Sequence, residues 1–250
     1  RVILPAHPQY IVIQALRESA HLWATGEKDK AINNLEMARK RAPESGAIIA
    51  QMIEYQSAVG NLSQAEALFT AMRDKFETTD RHLLFLAMAR ALLDRQEAKR
   101  ASEILEKTPS PQQSTDVLEL AILFKRAGQF EEAHQLFAAR YSEIKDDPKA
   151  VHEYAQTKMK LSGQTRNQSA RKRLNQDAEE LLRRAIQLSD NDTRTAWCWY
   201  DLARVLNWLH APEDQILYSY SHAMKLLPGE YRIREAYDSW RSKNSHQTST

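Results

Sequence analysis

Leu120-Ala121-Ile122-Leu123-Phe124-Lys125-Arg126-Ala127-Gly128-Gln129-Phe130-Glu131-Glu132-Ala133-His134-Gln135-Leu136-Phe137 is the stretch that decides the fold. An apolar-periodic run enters Gly128, and a second begins within a few residues of it. That is how two antiparallel helices joined by a tight turn look in sequence. The small side chains of Ala121 and Ala133 let the helices approach closely, and Phe124 and Phe137 fill the space beside them.

The same offsets recur along the chain. Gly60-Ala65-Phe69 repeats Gly128-Ala133-Phe137, and Gly26-Ala31-Leu35-Ala38 runs on to Pro43. Ala89, Ala101 and Leu105 form a further copy in which Gln96 stands where the turn glycine belongs. Near the C-terminus Leu202-Ala203, Tyr220, Ala223 and Pro228 fit with a one-residue shift at a turn around Ala211-Pro212. This set of spacings resembles the tetratricopeptide repeat family, with its period of about 34 residues. The resemblance covers roughly Gln9 to Gly229. Each copy is degenerate, and the family's large aromatic early in the first helix has a counterpart only in Trp197 or Trp199. The resemblance implies an all-α fold, a right-handed superhelical solenoid of about six helical hairpins closed by a C-terminal capping helix.

In order, residues 1–8 read as the exit from an upstream domain or linker. Hairpins are expected at 9–43, 44–79, 80–111, 112–147, 148–190 and 194–228. In the second of these, Asn61 or Ser63 is placed to cap the second helix, and Asp146-Asp147-Pro148 suits the opening of the fifth. The fifth repeat carries an insertion at 162–175. It either forms a loop on one face of the array or extends the two helices that flank it. A last helix over 231–241 has Ile233, Ala236, Tyr237 and Trp240 on one side. Arg232, Arg234, Glu235 and Asp238 lie on the other, the pattern of a cap with a polar outer face. Residues 242–250 are polar and expected to be disordered.

Composition agrees with this class. Six Gly and eight Pro in 250 residues leave few turns for an all-β fold, and the strong helix formers dominate. A hydrophobic share of 42% beside 27% charged residues fits helices with one apolar face each. No apolar run reaches the length of a membrane span, and no signal peptide is visible. The lone Cys198 excludes an internal disulfide framework and a multi-cysteine metal site. That usage points to a reducing, cytoplasmic setting, although a disulfide-free periplasmic protein would share it. A net charge of +2 does not by itself imply nucleic-acid binding.

Catalytic signatures are missing from the sequence. The glycines lie far apart, so no phosphate-cradling loop forms, and His152-Glu153 lacks the second histidine of a zinc helix. Cys198, between Trp197 and Trp199, has no basic partner adjacent in sequence and reads as a packed thiol. The expectation is therefore a protein that is not an enzyme and needs neither metal nor cofactor. Two features stand out. Lys158, Lys160, Arg166, Arg171, Lys172 and Arg173 occur with no acidic residue among them, a candidate patch for an anionic partner. The alternative is a solvated extension balanced by Asp177, Glu179 and Glu180. Four of the five tryptophans fall at or after Trp197, together with Tyr200, Tyr218, Tyr220, Tyr231 and Tyr237. Aromatics of this kind serve as binding anchors, and also as core for a terminal repeat.

The family resemblance implies a concave groove lined by the first helix of each hairpin, where a peptide or partner helix binds. Carried onto this chain, the lining of repeat six is Trp197, Tyr200, Arg204, Asn207 and Trp208. That of repeat five is His152, Gln156, Met159 and Lys160, and that of repeat four is Leu118, Ile122, Lys125 and Arg126. Such a lining suits an acidic or carboxylate-bearing segment. The subset that grips heat-shock chaperone tails uses paired asparagines; the early repeats here offer Arg17, Gln51 and Arg81 instead, which disfavours that reading. The expected function is protein–protein recognition, as a scaffolding or partner-sensing module of a larger, bacterial protein. The alternatives are nucleic-acid contact through 158–173 and a regulatory arm packed on an upstream catalytic domain.

Overall fold

The computed structural model describes residues 8–111 and 113–245. Positions 1–7, expected to be an upstream exit, Gln112, and positions 246–250 of the expected tail lie outside the described residues. Among the described residues there is no strand, and the helices divide into two units between Gln129 and Phe130. The first unit holds α1 (Pro8–Ala24), α2 (Lys28–Arg41), α3 (Gly46–Ala58), α4 (Leu62–Met72), α5 (Thr78–Asp94), α6 (Ala98–Leu105) and α7 (Ser114–Arg126). The second holds α8 (Phe130–Ala139), α9 (Tyr141–Ile144), α10 (Pro148–Gln164), α11 (Gln168–Leu188), α12 (Asp192–Trp208), α13 (Glu213–Leu226) and α14 (Tyr231–Ser245).

One turn geometry recurs. After α1, α3, α5, α7 and α12 the second residue past the helix takes a positive φ, and the next amide reaches back to close the helix end. Asn61 N donates to Gln56 O at 2.8 Å, Glu97 N to Leu92 O at 2.9 Å, and Gln129 N to Phe124 O at 2.9 Å. The same bond runs from Glu27 N to Leu22 O and from Ala211 N to Leu206 O. This is the Schellman ending, whose left-handed residue is usually glycine because a Cβ is penalised there. Gly26, Gly60 and Gly128 fill that place, but so do Gln96 at φ 63° and His210 at φ 56°. The register therefore predicts the Gln96 turn without a glycine to mark it. The C-terminal turn pivots on His210, one residue before the Ala211-Pro212 step to which the sequence assigns it.

The small residues behave as the spacing requires. Ala31, Ala65, Ala89, Ala101, Ala121, Ala133 and Ala203 are all fully buried. Beside them sit Leu35, Phe69, Leu105 and Phe137, each at most 3% exposed. Burying a side chain of this size contributes about 1.5–3 kcal/mol. In the first unit α1 packs on α2, α3 on α4 and α5 on α6, while α3, α5 and α7 lie side by side. Across that row Arg90 of α5 pairs with Glu54 of α3 and with Glu119 of α7.

In the second unit α10 packs on α11 and α12 on α13. Asp147 caps α10 by accepting from Lys149 N at 2.8 Å and Ala150 N at 3.2 Å, with Pro148 in the first turn. Asn61, by contrast, holds the N-cap position of α4 with no side-chain capping bond, and donates to Gln56 Oε1 instead. Of the two readings of the 162–175 insertion, the structure takes helix extension. α10 runs to Gln164, and α11 starts at Gln168 under a bond from Ala170 N to Asn167 Oδ1. The tail expectation needs a correction, since 242–245 continue α14. Ile233 and Trp240 of α14 are buried, and Tyr237 and Trp240 pack around Tyr220 at 5.8 and 5.9 Å. Arg234, Glu235 and Asp238 face out, which makes α14 the capping helix.

Candidate partner-docking face

α12 starts beneath Asn191, which accepts from Arg194 N at 2.9 Å and sets the rotation of the helix. Trp197, Tyr200, Asp201, Arg204 and Trp208 then fall on one side, separated by three- and four-residue steps. Within that row the Arg204 guanidinium lies 5.4 Å from the Tyr200 ring centroid and 5.2 Å from that of Trp208. Trp197 meets Tyr200 edge-on at 5.5 Å, and Arg232 of α14 sits over the Trp197 ring at 4.5 Å. The result is an alternating ladder of rings and guanidinium groups (cation–π contacts that fix both partners).

The ladder is anchored from below. Asp201 is buried, its Oδ1 accepting from Arg204 Nη1 at 3.1 Å. Its Oδ2 lies 3.0 Å from His152 Nε2 and accepts from Gln156 Nε2 at 2.9 Å, both from α10. Burial alone would push this carboxyl up. The hydrogen bonds from His152 and Gln156, with the Arg204 charge, outweigh it and hold the group below its ordinary value. The Arg204 side chain, 37% exposed, is thus held in place from below. Trp208 is 39% exposed and Asn207 also faces solvent.

The structure brings together Trp197, Tyr200, Arg204 and Trp208, with Asn207 at the edge of the row. His152, which is buried, and the half-buried Gln156 both hold Asp201 from α10. Met159 is buried and Lys160 is exposed. Leu118, Ile122, Lys125 and Arg126 lie on α7 in the first unit, where Leu118, Ile122 and Lys125 are half-buried and Arg126 pairs with Asp94 at 2.6 Å. The basic set is also divided. Lys158 is buried, pairs with Asp177 at 2.8 Å and lies 5.0 Å over Tyr154, so it is not a surface cation. Arg171 donates to Thr165 O at 2.8 Å, and Lys160, Arg166, Lys172 and Arg173 remain on the surface.

Sequence reasoning missed Asp201 and Arg232. The available signal for Asp201 was an acid three residues before Arg204 within an apolar stretch; nothing in the sequence pairs Arg232 with Trp197. It also missed a hollow of about 680 Å3 in the first unit, bordered by Trp23 and Tyr55 stacked at 3.9 Å. Cys198 is fully buried, and burial pushes its thiol up to about 12. Among the described residues no three His, Cys, Asp or Glu side chains gather as a metal site, and no helix is long and apolar enough to cross a membrane.

No protein-family model and no curated protein matches the chain. Solved structures do. YrrB, a TPR protein with an unusual peptide-binding site, aligns at 13% identity and a TM-score of 0.60, over 82% of this chain and 97% of its own. The C-terminal part of a TPR repeat-containing protein from Cytophaga hutchinsonii aligns at 12% and 0.60, over 92% and 87%. A chain of the APC/C hetero-tetramer Cut9–Hcn1 aligns at 14% and 0.60, over 92% of this chain but 42% of that one. At such identities the likeness is one of architecture, and in architecture this chain resembles the tetratricopeptide-repeat proteins with degenerate repeats.

Proposed function

We propose that the chain is a protein–protein recognition module and that the α12 face of its second unit docks an acidic peptide or protein segment. The observation that carries this is Arg204, fixed between Tyr200 and Trp208 and tied to a buried carboxylate while more than a third of its side chain meets solvent. A preset guanidinium loses little freedom on pairing with a carboxylate, and the exposed Trp208 beside half-buried Tyr200 supplies the apolar contact. The TPR architecture, and the peptide-binding site named for YrrB, support the same class of partner. Trp197, Tyr200, Arg204, Asn207 and Trp208 make the contacts, and His152 and Gln156 hold the base. A scaffolding or partner-sensing role in a larger protein follows from such a face.

The test is peptide display on the immobilised chain, with Arg204→Glu as the counter-selection bait. Acidic sequences should be enriched, and should bind Arg204→Ala and Trp208→Ala at least about tenfold more weakly (1.4 kcal/mol), while far-UV circular dichroism stays at the wild-type level. Equal binding to both variants would rule the face out. A second reading draws on the exposed Lys160, Arg166, Lys172 and Arg173: nucleic-acid contact, which predicts an affinity falling steeply with salt.

A further inference from the structure

Beyond the row of rings, the C-terminal end of α12 borders a hollow of about 650 Å3. It is lined by Ser162 and Gly163 from α10, Arg171 and Asn175 from α11, Asn207, Trp208 and His210 from the end of α12, and Asn244 from α14. The hollow exists because the fifth repeat's helices are longer than a standard hairpin needs. Their extra turns form one wall, and the other wall comes from the last first-helix and the cap. The volume lies within the ordinary range for ligand pockets.

Two features ask for a ligand. No acidic side chain lines the hollow, whereas Arg171, His210, Ser162 and three asparagines do, so its chemistry favours an anion. Arg171 is aimed by its bonds to Thr165 O at 2.8 and 3.3 Å. The second feature is Asn175, which is 3% exposed, with its Oδ1 buried and met by no hydrogen-bond donor. A buried acceptor without a donor costs stability, and a leucine there would avoid the cost. The hollow beside Trp23 and Tyr55 makes no such demand. Its Arg90, Arg95 and Asp94 are met by Glu54, Ser57 O and Arg126.

We infer that this hollow is a specificity pocket taking an acidic side chain, against Arg171, and the backbone N–H of the residue that bears it, against Asn175 Oδ1. The inference rests on the peptide-docking reading and extends it. Trp208 belongs to both places, so a segment lying along α12 continues past that ring into the pocket. Lys172 and Arg173, exposed on the same helix as Arg171, raise the local positive potential.

The experiment titrates the whole chain with two fluorescein-labelled, N-acetylated, C-amidated octapeptides, one alternating Glu and Leu and one alternating Gln and Leu, read by anisotropy. The Glu peptide should bind at least tenfold more tightly. Arg171→Gln should abolish that preference. Asn175→Leu should weaken binding at least tenfold while raising the melting temperature of the free protein. Should Asn175→Leu fail to fold, Asn175→Asp keeps the shape, places a charge against the acidic ligand and should lose binding too. Absence of binding, equal binding of the two peptides, unchanged binding by a folded Asn175 variant, or displacement by oligothymidylate of equal charge would each overturn the pocket. If Arg204→Ala loses the display-selected peptides and the Arg171 and Asn175 variants do not, the pocket fails and the docking face survives. If display-selected peptides ignore Arg204→Ala, the docking face itself fails.

Discussion

Asp201 is the residue on which the candidate site turns, because a buried carboxylate must be fully met to be tolerated. Here His152, Gln156 and Arg204 meet it from two helices. Replacing it with asparagine leaves Arg204 without its anchor and strands part of the network, a loss of about 2–3 kcal/mol, measurable by urea titration at neutral pH. The acid limb follows from the direction of the shift. A carboxyl held below its ordinary value in the folded chain stabilises it above the unfolded value of about 3.9, and that stability is lost as pH falls through the lower, folded value. The wild type should therefore lose more stability than Asp201→Asn on acidification below about pH 4. Parallel acid limbs would mean that Asp201 is not held in this way. Cys198 gives a second check at this scale. Buried, with its thiol pushed up to about 12, it should resist alkylation at mildly alkaline pH until denaturant opens the second unit. Rapid labelling of the native protein would contradict the packing described for α12.

At the scale of the element, the repeated turn is the feature most open to prediction. Gly60 has φ 99°, and a Cβ there would meet nothing closer than Arg95 Nη2 at 3.8 Å, so the cost of Gly60→Ala is conformational alone, about 1–2 kcal/mol. Gln96 occupies the equivalent place at φ 63° with an exposed side chain. Gln96→Gly should relieve that strain and, after the entropy glycine loses on folding, leave a gain of about 0.5–1 kcal/mol. Opposite shifts in thermal midpoint would establish that both turns follow one rule; a drop in both would refute it. These elements were legible because periodicity and small residues report backbone geometry directly. Gln96 could be placed by register alone. His210 could not, since Pro212 draws the turn assignment one residue on. The 162–175 segment carried helix-forming residues with an Asn167 cap, but its length also suited a loop, and sequence does not weigh the two. The row of large side chains on α12 was legible from its three- and four-residue spacing. Its anchor was not: partnership between Asp201 and His152 depends on which faces of α10 and α12 meet. Lys158, read as part of the patch for an anionic partner, is instead answered by Asp177, one of the acids that the alternative reading of that segment names.

For the whole molecule, the repeat architecture makes a claim about how damage spreads. Each hairpin is supported by its neighbours, so a local insult should fade along the chain rather than unfold one shared centre. Gly46 allows the claim to be tested. It opens α3 directly against α5, where an added Cβ would lie 2.4 Å from Asp80 Cβ and 2.9 Å from Asp80 Cα, the latter a backbone atom that cannot turn away. Gly46→Ala must therefore move α3 off α5, at about 1–3 kcal/mol. Hydrogen exchange followed by mass spectrometry separates the outcomes, because each helix yields its own peptides. Amides of α3, α4, α5 and α6 should exchange faster in the variant, since these helices pack around the displaced contact. Those of α12 and α13 should keep wild-type rates, and the binding of display-selected peptides at Arg204 should be unchanged. Faster exchange spread evenly from α1 to α14 would show one cooperative core, and the reading of these helices as stacked hairpins would have to be given up. Confined loss would show that stability here is held hairpin by hairpin, so that substitutions on α12 leave the first unit folded.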